Sequence, residues 1–159
     1  MLERARDFIL RNARLLERRR FAAEFEDGSA AAVVTALAAY RNEDGGFGNA
    51  LEPDKRDPAS QPVDVQFALE TMDAAGAFDR QLALKACDWL ARASTPKGGV
   101  PFALASVNDF PHAPWWDTEA NPPANTAAET PLTISDLTGI DGLFSALNDQ
   151  SKTSWMLYL

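Results

Sequence analysis

Cysteine and histidine are nearly missing from this chain of 159 residues: Cys87 and His112 are the only ones. One cysteine excludes an internal disulfide, and one Cys with one His leaves too few ligands for a structural zinc site. No metal and no cofactor is expected. No apolar run approaches the roughly 20 residues that a membrane span needs, so no transmembrane segment is expected. The N-terminal stretch MLERARDFILRNARLLERRR lacks the apolar core of a secretory signal. A cytoplasmic location is the corresponding expectation. Basic residues are also short, with 15 Lys and Arg against 23 Asp and Glu. A body of net charge −8 repels phosphate backbones and argues against a nucleic-acid partner.

The charge that is present is uneven. Residues 1–20 hold seven arginines against Glu3, Asp7 and Glu17, a local +4 that leaves −12 on the remainder. Ala5, Phe8, Ile9, Ala13, Leu15 and Leu16 recur at helical spacing against Arg4, Arg11, Arg14 and Arg18. This predicts one amphipathic helix whose end carries Arg18, Arg19 and Arg20, where cations complement the macrodipole. The arginines suit a solvated helix face, or contact with an anionic surface.

Helical patterning continues downstream, and no segment shows strand alternation with hairpin chemistry. After Gly28, Ser29 can cap a helix over AAAVVTALAAY, Ala30 to Tyr40, which is apolar on every side and therefore predicted buried. A loop dense in Gly, Pro, Asn and Asp follows. Ser60 or Gln61 then caps a third helix, Pro62 and Asp64 fit its first turn, and Gly76 ends it. Its two apolar stripes, one through Val63 and Phe67 and one through Val65 and Leu69, predict packing on two sides. Asp79 can cap a fourth helix with Leu82, Ala86, Trp89, Leu90 and Ala93 inward and Gln81, Lys85, Asp88 and Arg92 outward. Cys87 on its flank reads as a structural thiol. A last helix is expected near 135–147, weakened by Gly139 and Gly142.

One element repeats: a helix, a short polar stretch, Gly-Gly and a hydrophobe. It occurs as AAYRNEDGGFGNAL at 38–51 and as ARASTPKGGVPFAL at 91–104. The pairs Gly45/Gly46 and Gly98/Gly99 enclose two helices, which is the unit that stacked α/α arrays use. DGGFG after an Ala-rich helix, then a Pro-rich loop and a second helix, resembles the repeats of the terpenoid (squalene) cyclase and protein prenyltransferase α/α toroids. From Ala22 to Trp116, with NEDGGFGNALEPD, SQP and PHAPWW, the chain also resembles bacterial proteins described as prenyltransferase-like. The resemblance implies an all-α fold of helical hairpins around a pocket. A closed toroid has about six hairpins, roughly 300 residues at this spacing. This chain supplies three at most, so a partial toroid, about half, is expected, truncated or divergent and completed by self-association. Residues 1–124 form the repeat region in this reading, and 125–159, ending in SWMLYL, a divergent segment packed on it.

The same reading sets the candidate site. Asp44, Gly45, Gly46, Gly48, Gly98 and Gly99 form the repeat motif. Its glycines can cradle a diphosphate neutralised by Arg41, Lys55 and Arg56, or simply permit positive φ and close helix approach. Glu52, Asp54 and His112 are the candidate acid–base residues, with turn-forming and packing roles as their alternatives. Phe47, Phe102, Trp115 and Trp116 can line an apolar or isoprenoid pocket, or plug gaps between repeats. The chain has no Asp-x-Asp-Asp motif and no zinc-site spacing, so the resemblance brings no catalytic set with it. Three functions follow. One is a prenyltransferase- or cyclase-like protein handling an isoprenoid or similar apolar ligand. The second is a polysaccharide lyase or glycosidase using Glu52, Asp54 and His112, and the third a non-catalytic repeat scaffold.

Overall fold

The structure, a computed structural model, describes residues 1–94 and 99–118. Gly98, the expected helix near 135–147 and the whole of 125–159 lie outside the described residues. Five α-helices run in order: α1 Leu2–Asn12, α2 Leu15–Phe25, α3 Ala30–Leu37, α4 Pro62–Ala74 and α5 Arg80–Ala93. Short 3-10 turns occupy Ala38–Tyr40, Ala105–Asp109 and Pro114–Trp116. The described residues are mostly helical and contain no strand, only two isolated bridges.

Successive helices pack as neighbours: α1 on α2, α2 on α3, α3 on α4 and α4 on α5. Leu16, Val33, Leu37, Phe47, Leu51, Val65, Leu69, Met72, Leu82, Ala86, Trp89 and Leu90 form one continuous core between them. A smaller cluster of Val63, Ala103, Val107 and Trp116 joins the segment after α5 to the start of α4.

The hairpin of α4 and α5 follows the sequence closely. Gln61 is the N-cap of α4 and Pro62 its first residue, where a missing N–H costs nothing. The helix closes with Gly76 at φ 61°, its N–H on the Asp73 carbonyl and the Ala77 N–H on the Met72 carbonyl. That is the paired bonding of a Schellman motif. The Asp79 carboxylate accepts from the Leu82 N–H at 3.0 Å and starts α5. Helix α4 buries Val63, Val65, Ala68, Leu69 and Met72 on two sides. Helix α5 is one-sided, with Leu82, Ala86, Trp89 and Leu90 inward. Cys87 is half-buried, and burial together with Asp88 pushes its thiol up, away from reactive thiolate.

The N-terminal part differs from its expectation in two ways. The single helix predicted over the first twenty residues is broken at Ala13 and Arg14, both extended. Arg18, Arg19 and Arg20 therefore lie inside α2 rather than at a helix end. The break has a tertiary cause: Arg14 forks onto Glu17 and donates to the Ala50 and Leu51 carbonyls at 2.7 and 3.1 Å. A straight helix cannot satisfy those carbonyls while burying Leu16 and Phe21. Secondly, α3 is shorter than the apolar run and buries only Val33, Ala36 and Leu37, leaving Ala31, Thr35, Ala38 and Ala39 exposed. Alanine's high helix propensity, not burial on all sides, accounts for that run. Ser29 precedes α3 but makes no side-chain cap bond.

Candidate functional site

The glycine-rich segment after α3 folds back on itself through an Arg41–Phe47 bridge. The Asn42 N–H donates to the Gly46 carbonyl and the Gly48 N–H to the Tyr40 carbonyl, each at 3.0 Å. Asp44 is the hub. One of its carboxylate oxygens accepts from the Gly46 N–H at 2.9 Å and the Ser60 hydroxyl at 2.8 Å. The other accepts from the Trp89 indole at 2.9 Å, and Arg92 donates to the Asp44 carbonyl at 2.7 Å. The motif thus ties the turn to α5. A Cβ on Gly46 would stand 2.6 Å from Ser60 and 2.8 Å from Trp89, and one on Gly48 2.2 Å from the Ala59 carbonyl oxygen. Glycine is required at both by close approach. The Gly46 amide that an anion cradle would offer is already taken by Asp44, and Phe47 is wholly buried in the core.

Beyond the turn, Asn49 and Ala50 take φ of 56° and 58°, held by the Arg14 bonds to Ala50 and Leu51. The chain then crosses the start of α4. Lys55 and Asp64 form an ion pair with both side chains fully buried, and the other Asp64 oxygen accepts from the Glu52 N–H at 2.7 Å. Burial pushes the Asp64 carboxyl above its ordinary value, against the pull of Lys55. Asp57 anchors the same loop. Its carboxylate accepts from the Ala59 N–H at 2.8 Å, from Ser106 at 2.8 Å and from Gln61 at 2.5 Å. The Gln61 side-chain oxygen in turn accepts from the Leu104 N–H at 2.7 Å.

A two-bond antiparallel ladder brings the predicted acid–base residues onto neighbouring backbone. The Arg56 N–H donates to the Pro111 carbonyl at 2.9 Å and the Ala113 N–H to the Asp54 carbonyl at 2.8 Å. Lys55 and His112 stand opposite one another between these bonds, the narrow kind of pair whose side chains share a face. Lys55 is inward, while Asp54 and Arg56 are exposed. Glu52 is half-buried, and its carboxylate accepts from the Asp54 N–H at 3.4 Å. Burial first, then Asp54 and Asp64, raise the Glu52 carboxyl above its ordinary value. Such a group holds a proton more readily than a solvated glutamate and suits an acid. The His112 Nδ1 lies 2.6 Å from the Phe110 carbonyl oxygen. A carbonyl only accepts, so Nδ1 carries the hydrogen and Nε2 of the neutral ring is the free acceptor.

The three predicted cations are spread apart in role. Lys55 is spent on Asp64, Arg56 donates to the Pro53 and Lys55 carbonyls, and Arg41 is exposed at the glycine turn rather than on the ladder. The aromatics divide as well. Phe102 stacks on Trp116, with centroids 4.8 Å apart and planes 12° from parallel. Trp116 is buried, while Phe102, Phe110 and Trp115 are 41%, 36% and 56% exposed. Phe110 and Trp115 flank His112 in sequence, on either side of the ladder residues 111–113. Among the described residues no three His, Cys, Asp or Glu come together as a metal site. None of the described helices is long and apolar enough to cross a membrane.

Sequence reading missed Arg14, Asp57, Gln61, Asp64 and Ser106 as organisers of this region. Asp64 reads as a first-turn dipole partner and Gln61 as a helix cap, whereas the bonds of Arg14 to residues 50 and 51, and of Ser106 to Asp57, span 36 to 49 residues and leave no local signal. Comparison of the chain with protein-family models, with curated proteins and with solved structures finds no match.

Proposed function

We propose that this chain is a cytoplasmic prenyltransferase- and terpenoid-cyclase-like helical-hairpin repeat protein, a partial toroid, that binds an isoprenoid or similar apolar molecule. The observation that carries the reading is the run of aromatics over residues 102–116: Phe102 stacks on buried Trp116, and Phe110 and Trp115 of the same segment are exposed. Exposed aromatics gathered in one short segment fit a ligand surface better than a solvated loop. The DGG turn, the paired helices and the PHAPWW block support the toroid likeness. Equilibrium dialysis with farnesol tests the reading, alongside native mass spectrometry of the purified chain. Binding is expected and Trp115→Ala weakens it about tenfold, as loss of one aromatic contact of 1–2 kcal/mol implies. No bound lipid and no farnesol binding by the folded chain would overturn it.

A second reading is favoured by Glu52, whose carboxyl is raised by burial and by Asp54 and Asp64, in a chain that also exposes Trp115. In it the chain binds a saccharide, Trp115 stacks on a sugar ring and Glu52 serves as acid. Oligosaccharide binding that Trp115→Ala leaves unchanged counts against it. The interaction-scaffold reading, with self-association completing the array, draws on α1. That helix buries no residue and leaves Leu2, Phe8 and Leu10 exposed.

A further inference from the structure

Helix α1 contributes nothing to the core. It buries no residue, and Ile9 alone within Leu2–Asn12 is even half-buried. It rests on α2 and is tied to the end of that helix by an Arg6–Glu26 ion pair at 2.6 Å. Away from this attachment, Arg4, Phe8 and Arg11 recur at i, i+4 and i+7 and so share one stripe. At about 100° per residue, that stripe lies roughly 130° round the helix from Ile9, and Asp7 and Glu3 fall roughly 70° and 110° from it. Phe8 is 67% exposed. Among the described residues neither Arg4 nor Arg11 has an acidic partner. The stripe is therefore an exposed aromatic ring between two uncompensated cations.

Area and charge narrow what meets it. An 11-residue helix is about 16 Å long and about 10 Å across. One face of it offers on the order of 160 Å², far below the roughly 800 Å² per partner of a stable protein interface. A lipid surface needs no matching area, only apolar groups that enter it and cations that meet its headgroups. Charge points the same way. Residues 1–20 carry +4 and the remainder −12. An anionic surface attracts the first segment and repels the rest, which fixes the side of the molecule that approaches.

From the Arg4–Phe8–Arg11 stripe and this charge division, we propose that α1 is a peripheral attachment helix for an anionic lipid surface. Phe8 enters the boundary between headgroups and acyl chains, and the long side chains of Arg4 and Arg11 reach lipid phosphates beside it. The inference is independent of the apolar-ligand reading. It assigns to lipid the face that the scaffold reading gives to a second copy.

Co-sedimentation tests it, with vesicles of phosphatidylcholine alone and of phosphatidylcholine and phosphatidylglycerol in equal parts. The chain is expected to bind the anionic vesicles about tenfold more tightly, and less so as salt rises. One arginine at such a surface is worth about fivefold in partitioning, so Arg4→Gln with Arg11→Gln should weaken binding about 25-fold. Arg80→Gln with Lys85→Gln removes the same charge from exposed residues of α5 and should leave binding within about twofold. Equal binding to both vesicles, or to neither, overturns the inference. So does an equal loss in both paired variants, which would make net charge the cause. A dimer in sedimentation velocity that Phe8→Ser dissolves also overturns it, because α1 then serves a second copy. Helical circular dichroism of the Arg4/Arg11 variant should match the parent; if it does not, the comparison of the two vesicles with the unmodified chain still decides. Farnesol binding is unaffected by any of these results.

Discussion

Ala50 holds a left-handed backbone, φ 58°, that costs alanine about 1–2 kcal/mol. The strain persists because Arg14 donates to its carbonyl and the next one. Ala50→Gly is therefore expected to raise stability by about 1 kcal/mol, and Arg14→Ala to lower it by about 2 kcal/mol, in urea titrations. A neutral Arg14→Ala would show that the turn holds itself. Glu52 provides a second test at this scale. Its raised carboxyl takes up a proton more readily in the folded chain than in the unfolded one. The ionised form thus opposes folding. Its contribution is most favourable below the ordinary glutamate value and is lost as pH rises through the raised one. Glu52→Gln, which keeps the oxygen facing the Asp54 N–H, should melt slightly higher than the parent at pH 7 and converge with it near pH 4. A variant that melts lower at pH 7 contradicts this.

Between elements, the buried Lys55–Asp64 pair joins the loop to α4. Removing one partner strands a charge, so Lys55→Met should cost about 3–5 kcal/mol. Adding Asp64→Asn leaves an oxygen for the Glu52 N–H and removes the stranded charge, so the double variant should recover about 2 kcal/mol. A double variant as unstable as Lys55→Met alone would show that the ion pair is not the source of the loss. Elements were readable wherever their ends are set by neighbours in sequence. Pro62, Gly76 and Asp79 bound α4 and α5 as first-turn and capping chemistry dictates, while the side chain of Gln61 at the N-cap position bonds to Asp57 and Leu104 instead. The break between α1 and α2 was not readable, because Arg14 answers to carbonyls 36 and 37 residues away. The ladder that gathers Asp54 and His112 was hidden for the same reason: two hydrogen bonds on short irregular segments leave no periodicity to read.

At the largest scale, helical character was legible, and the described residues are mostly helical. Local pattern supplies the α4–α5 hairpin, whose ends are set by residues adjacent in sequence. The candidate site was legible as a list of residue types around residues 52–56 and 112–116. Which of them are spent on structure was not, since Asp44, Lys55 and Phe47 are committed by burial and pairing alone. The Asp57–Gln61–Ser106 knot has a bearing on time as well as on geometry. Its bonds from Ser106 and Leu104 reach back 49 and 43 residues, so a long loop must close before they can form. The start of α4 has to be in place first, and the segment that carries the aromatics is held there and by the ladder to residues 54–56. In a chain still emerging or partly melted, the helices can exist without that segment in place. The segment that carries these aromatics is then among the last parts to assemble and among the first to come undone.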